Sequence, residues 1–241
     1  MHKYFEYNLT DNIDNLFLDN KFSIPRVINC LNPHSFVIAL DDPLFKKALL
    51  NSDLLLPDGE GICLTLKKYK KIAIKKIAGD DLHNNILKQL SAKCGKVYYM
   101  GSTNEVLSRI SARIAKEYPT LQIRTHSPSF GAELSEAESH QIINDINSFA
   151  PDVLFVSMTA PKQEKWVEKY RQYIVSTSVI ASIGAVFDFY AGTVKRAPRW
   201  AIRLKLEWLF RLIKEPRRMW NRNFVSTPKF LRWVKQHHEE M

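Results

Sequence analysis

Apolar positions along the chain fall into short unbroken runs separated by longer amphipathic stretches. The runs RVINCL (26–31), DLLLP (53–57), KVYYMG (96–101), LQIRT (121–125), DVLFVSM (152–158) and VSTSVIASIG (175–184) read as strands. They lack polar–apolar alternation, as expected of strands covered on both faces. Helices are expected at 35–51, broken or restarted at Pro43, and at 80–95, between an Asp start and Gly95. Three more are expected at 102–118 before Pro119, at 135–150, and at 160–174 with Pro161 in its first turn. KIAIKKIAG (71–79) reads as a short strand or sheet edge.

Strands alternating with helices of this length mean βαβ units. The expected fold is α/β: a doubly wound, Rossmann-like, mostly parallel sheet of about six strands flanked by helices. In such sheets ligands lie beyond the carboxyl ends of the strands. The residues there are Asn32 and His34, then Pro57-Asp58-Gly59, then Gly101-Ser102, then Lys162, Gln163 and Glu164. Asp58 has two readings. Pro-Asp-Gly is a common turn in which Asp bonds its own backbone. It would also hold a carboxylate at the ligand edge as a general base. Gly101-Ser102 precedes a helix whose free N–H groups suit a phosphate, although no complete GxGxxG is present. Asp58-Gly59-Glu60 offers two carboxylates, too few for a hard-metal site. His34 reads first as a surface or capping residue, and neither HExxH nor a Ser-His-Asp order occurs.

Charge divides the chain. Between Lys195 and Met241 there are 13 Lys/Arg against 4 Asp/Glu, whereas residues 1–194 carry 22 against 21. Four of the five tryptophans also lie in that last stretch. The expected organisation is a nearly neutral body, 1–194, and a basic, Trp-rich appendage, 195–241. Within RWAIRLKLEWLFRLIK, Arg203, Glu207, Arg211 and Lys214 follow one helical stripe, and Ile202, Leu206, Leu209 and Ile213 another. Arg217, Arg218 and Arg222 follow Pro216, and their planar guanidiniums suit diphosphate oxygens. Such a tail meets nucleic acid, phosphorylated small molecules or an anionic membrane surface. A nucleotide- or nucleic-acid-binding module is therefore the competing reading, though no RNA- or DNA-binding motif is present. The three cysteines show no CxxC spacing and read as reduced cytosolic thiols. Neither a secretory signal nor an apolar run of 18 residues is found, so a cytoplasmic protein is expected.

Taken together, LNPHSFVIA, LLPDGEGI, APKQEKW, IGAVFDFYAGTVKRAPRW and LEWLFRLIKEPRR resemble the WecG/TagA/CpsF family, glycosyltransferase family 26, over roughly residues 25–225. The resemblance implies a variant Rossmann-like body closed by a C-terminal appendage, a GT-E-like arrangement. It implies an inverting, metal-independent transferase without a cofactor. The donor would be a UDP-sugar carrying N-acetylmannosamine, its uronic acid or a related hexose. The acceptor would be a sugar on a polyprenyl diphosphate at the inner face of a bacterial plasma membrane. That places the chain in surface polysaccharide or teichoic acid synthesis. It implies Asp58 as the base, Asn32 lining the pocket, Gln163 near the sugar and Asp188 near the nucleoside. Arg211, Arg217 and Arg218 would hold the diphosphate, beside Lys162 and the helix start at Gly101 and Ser102. Three positions depart from the family pattern: Cys30 stands for a usual Thr, Thr159 for a usual Gly, and Glu60 for a residue often apolar. Sugar, acceptor and oligomeric state, a homo-oligomer included, are left open.

Overall fold

The side chains of successive strand residues point to opposite faces, so a strand with no polar positions needs cover on both sides. The computed structural model, which describes residues 1–14, 16, 18, 22–131, 133–194, 207–214 and 216–241, provides that cover. Its strands are β1 (His2–Tyr4), β2 (Tyr7–Leu9), β3 (Arg26–Leu31), β4 (Leu54–Pro57), β5 (Lys96–Gly101), β6 (Gln122–His126), β7 (Val153–Ser157) and β8 (Val179–Ser182). Among the described residues they form one sheet in the order β1-β2-β4-β3-β8-β7-β5-β6. Only β1 and β2 pair antiparallel.

Helices α1 (Pro33–Asp41) and α2 (Pro43–Leu50) follow β3, and α3 (Glu60–Thr65) follows β4. The others of the body are α4 (Gly79–Ser91), α5 (Asn104–Glu117), α6 (Glu136–Phe149), α7 (Lys162–Tyr170) and α8 (Val186–Ala191). On one face of the sheet, Val97, Tyr99, Phe155 and Ala181 pack with α4, α5 and α8. On the other face, Tyr98, Met100, Val156 and Ile180 pack with α6 and α7. The break near Pro43 is as expected. Asp42 ends α1 and caps α2, its carboxylate accepting from Phe45 N–H at 3.0 Å.

Two features depart from the sequence reading. Residues 71–78 form no strand, although Ile74 and Ile77 are buried. The edge of β4 is already taken by β2 through Leu9 and Leu55, so the segment has no ladder to join. It contributes a single bond of this kind, Ile77 N–H to Pro57 O at 3.0 Å. The N-terminal hairpin then brings the sheet to eight strands rather than about six.

The C-terminal segment describes a helix Glu207–Lys214, a helix Pro216–Trp220, a π-helical turn Asn221–Ser226 and a helix Thr227–His237. The last of these joins a core cluster with the hairpin. Phe230 and Val234 are fully buried with Tyr4, Phe5, Tyr7 and Phe36. Phe36 meets Phe230 edge-on at 5.3 Å and Trp233 at 5.1 Å. Among the described residues no helix is long and apolar enough to cross a membrane.

Candidate active site

The carboxyl ends of β3, β4, β7 and β8 open into one cleft of about 1020 Å³, walled on its far side by the C-terminal segment. Asp58 lies at its edge. β4 hands the chain directly to a turn: Asp58 N–H still donates to Leu31 O at 2.9 Å, as a last rung of the β3–β4 pairing. Gly59 then adopts φ +108°, which a side chain would resist, and α3 begins at Glu60. Asp58 thus stands in the bend between β4 and α3, at the ligand edge of the sheet. Glu60 also lines the cleft.

Asn32 lines the cleft and caps α1. Its Oδ1 accepts from His34 N–H and Ser35 N–H, both at 3.0 Å. Ser35 Oγ in turn takes the Asn32 N–H at 2.8 Å, which completes a capping box. His34 also lines the cleft, and its Nδ1 lies 2.8 Å from Ser226 Oγ. Burial, then the nearby Arg222, lowers its pKa to about 4, so the ring is neutral at physiological pH.

Ser102 and Thr103 line the cleft at the start of α5, where Thr103 Oγ1 caps Val106 N–H at 3.3 Å. Gly101 serves a different purpose and is not a lining residue. It holds φ +128°, and a Cβ there would sit 2.0 Å from Ser157 O. It lets β5 and β7 converge so that Ser102 reaches the cleft.

Lys162 lines the rim, its Nζ donating to Gly131 O at 2.9 Å. Gln163 is buried and committed at both ends of its amide. Oε1 accepts from Met158 N–H at 3.1 Å, and Nε2 donates to Glu164 Oε1 at 2.8 Å. Asp188, in the first turn of α8, lines the opposite side of the cleft. The side chains of Arg211, Arg217 and Arg218 lie outside the described residues.

Several lining residues were not singled out by sequence. Lys76 comes from the segment misread as a strand, and Phe130, 84% exposed, stands at the rim. Asn223 is brought in by the π-helical turn, together with Arg222, which the sequence had already marked as a guanidinium suited to diphosphate. Glu164 had only its place at a helix start to mark it. It is 4% exposed, and burial raises its pKa to about 7 against the countervailing bonds from Gln163 and its own backbone and the charge of Arg222. Cys30, at the end of β3, has its thiol pushed well up by burial and by the neighbouring charges of Asp58 and Glu164. A neutral thiol is a poor nucleophile. Chemically, the cleft offers carboxylates to take protons, and cations with a helix N-terminus to hold an anion.

That combination fits transfer of a group from a phosphorylated donor, and comparison with known proteins supplies the class. A model of the glycosyl transferase WecG/TagA/CpsF family matches residues 6–240. The chain belongs to this family. An N-acetylglucosaminyldiphosphoundecaprenol N-acetyl-beta-D-mannosaminyltransferase of Bacillus subtilis (strain 168) is 33% identical over 230 residues, covering 94% of this chain and 86% of that protein. A protein of the same name from Bacillus spizizenii is 31% identical over 206 residues, covering 86% and 77%. One from Staphylococcus aureus (strain MW2) is 25% identical over 211 residues, covering 88% and 80%. As a WecG/TagA/CpsF member the chain is a glycosyltransferase, and the cleft holds the sequence-nominated Asp58, Asn32, Ser102, Lys162, Gln163 and Asp188 together.

Proposed function

We propose that this chain transfers N-acetylmannosamine, or a closely related hexose, from a UDP donor to a sugar carried on a polyprenyl diphosphate, inverting the anomeric centre. The observation that carries this reading is Asp58, set at the mouth of β4 in the cleft beyond the strand ends of a chain 33% identical to a transferase of that name. Asp58 takes the proton from an acceptor hydroxyl as its oxygen attacks the anomeric carbon. The bond from that carbon to the diphosphate oxygen breaks, and UDP leaves with the electron pair. The charge it gains is met by Arg222, Lys162, Lys76 and the N-terminus of α5 at Ser102 and Thr103. Arg211, Arg217 and Arg218 remain part of the proposal through the family resemblance. Asp188 is assigned to the nucleoside side.

The acceptor lipid calls for a membrane surface. Trp220, Phe224 and Val225 are exposed on the C-terminal segment, next to its basic residues. We assign this face to peripheral contact with anionic lipid at the inner side of a bacterial plasma membrane.

The test is Asp58→Asn assayed with UDP-N-acetylmannosamine and a polyprenyl diphosphate-N-acetylglucosamine acceptor. Turnover should fall by about 10²–10⁴ with UDP affinity kept. Near-normal turnover would return Asp58 to the role of a turn residue.

A further inference from the structure

The cleft contains a carboxyl oxygen that the proposed reaction does not use. Glu164 is held at one end: Oε1 takes the Gln163 amide, and Gln163 is itself anchored by Met158 N–H. Its other oxygen, Oε2, is buried in the cleft wall and has no hydrogen-bond partner among the described residues. Ser182, 3% exposed, lines the same cleft with its Oγ also unpartnered. It lies two residues beyond Ile180, which packs against α7, so it shares the face of the sheet from which Glu164 comes. From the C-terminal wall Asn223 presents a third such group, a buried Nδ2. A buried polar atom left unpaired has lost its water without replacement, and a ligand of matching chemistry recovers that loss.

We propose that Glu164 is the residue that reads the transferred sugar, its free oxygen accepting a hydrogen bond from a ring hydroxyl or acylamino N–H of the UDP-sugar. This rests on the transferase reading and deepens it. Two observations place the transferred ring here rather than the acceptor or the nucleoside. Glu164, 4% exposed, lines the same cleft as Asp58, and the charges of both raise the Cys30 thiol at the end of β3, so the two carboxyls serve one part of the cleft. Asp58 already serves the attacking hydroxyl there, which leaves Glu164 for the ring under attack. The group set is also mixed. Glu164 offers an acceptor, Asn223 a donor and Ser182 both, which suits an N-acylated sugar with its hydroxyls, N–H and carbonyl. A site that hydrogen-bonds a substrate group rejects analogues lacking it more strongly than an apolar pocket rejects a missing methylene.

The deciding variant is Glu164→Gln, nearly isosteric. If its oxygen keeps the bond from Gln163, its NH₂ falls where Oε2 was, a donor facing a donor. Steady-state kinetics at about pH 8, above the raised pKa of Glu164 so that its free oxygen is an acceptor, with UDP-N-acetylmannosamine and with UDP-sugars differing at one hydroxyl or at the acylamino group, should show KM for the preferred donor raised about 10–100-fold. The preference among donors should flatten, while the Kd for UDP alone stays within about twofold. Should Glu164→Gln fail to fold by circular dichroism, Ser182→Ala is read in the same assay, with a rise in KM of about 3–10-fold expected. Unchanged KM and donor preference in a folded variant would overturn the assignment of Glu164 and leave the transferase reading standing. A wild-type chain that transfers from no UDP-sugar would overturn both.

Discussion

His34 Nδ1 and Ser226 Oγ, separated by 192 positions in sequence, lie 2.8 Å apart. The contact ties the first turn of α1 to the turn that carries Arg222 and Asn223, so the far wall of the cleft is pinned to the sheet edge. Lys229 and Asp41 add an exposed ion pair at 2.9 Å along the same seam, worth little by itself.

Breaking that pin should loosen the wall. Ser226→Ala is expected to cost about 1 kcal/mol in denaturant unfolding and to weaken UDP-sugar binding more than it lowers the melting temperature. The His34 pKa is lowered, so the sign is that of a base kept neutral. Below the usual histidine range the unfolded chain takes up a proton that the folded chain refuses until about pH 4. Stability therefore falls on acidification from about 6.5 toward 4, and His34→Gln should flatten that fall. Parallel melts at pH 7 and pH 5 give the comparison.

Glu164 has the opposite sign. Its pKa rises from 4.5 to about 7 on folding. Below 4.5 both states are protonated and nothing is lost. Between 4.5 and 7 the unfolded chain ionises while the buried carboxyl does not, so stability drops by up to about 3 kcal/mol and stays lower above pH 7. Glu164→Gln removes this loss. Its stability relative to wild type should rise between pH 4.5 and pH 8, as read by urea unfolding; the histidines are common to both proteins and cancel. A difference independent of pH would mean that Glu164 ionises normally.

Gly101→Ala tests the convergence of β5 and β7. The new Cβ meets Ser157 O at 2.0 Å on a backbone at φ +128°. Steric overlap and the left-handed conformation together should destabilise by about 2–5 kcal/mol. A substitution tolerated at the wild-type melting temperature would show that the strand ends are free to separate.

Phe230→Ala should cost about 3–5 kcal/mol, because the ring is fully buried against Phe36. Ending the chain before Thr227 would go further and expose Phe36 and Phe5, against which Trp233 also packs. Light scattering should then report self-association. A monomeric truncated chain with the wild-type near-ultraviolet signal would show that the hairpin cluster stands without the helix.

The sequence by itself determined the parallel body, because its central strands are nearly continuous apolar runs, the edge strand β6 (QIRTH) being the exception, and its helices carry caps and stops that act locally. It also nominated Asp58, since a carboxylate between Pro57 and Gly59 at a strand's end has few places to go. The five long motifs indicated the family. Only the tertiary structure decided the rest. β1 and β2 are three residues each, too short to show a period, and exist through pairing with each other and with β4. Residues 71–78 carry the apolar pattern of an edge strand and have no free edge to join. Phe230 and Val234 lie in the stretch read as a basic appendage, yet they complete a core begun by Tyr4 and Phe5 at the other end of the chain. Glu164 was the least legible. A glutamate in a helix's first turn is ordinarily solvated and charged, whereas Glu164 is buried in the wall of the cleft. Periodicity and capping act over a few residues; desolvation depends on every element that packs nearby.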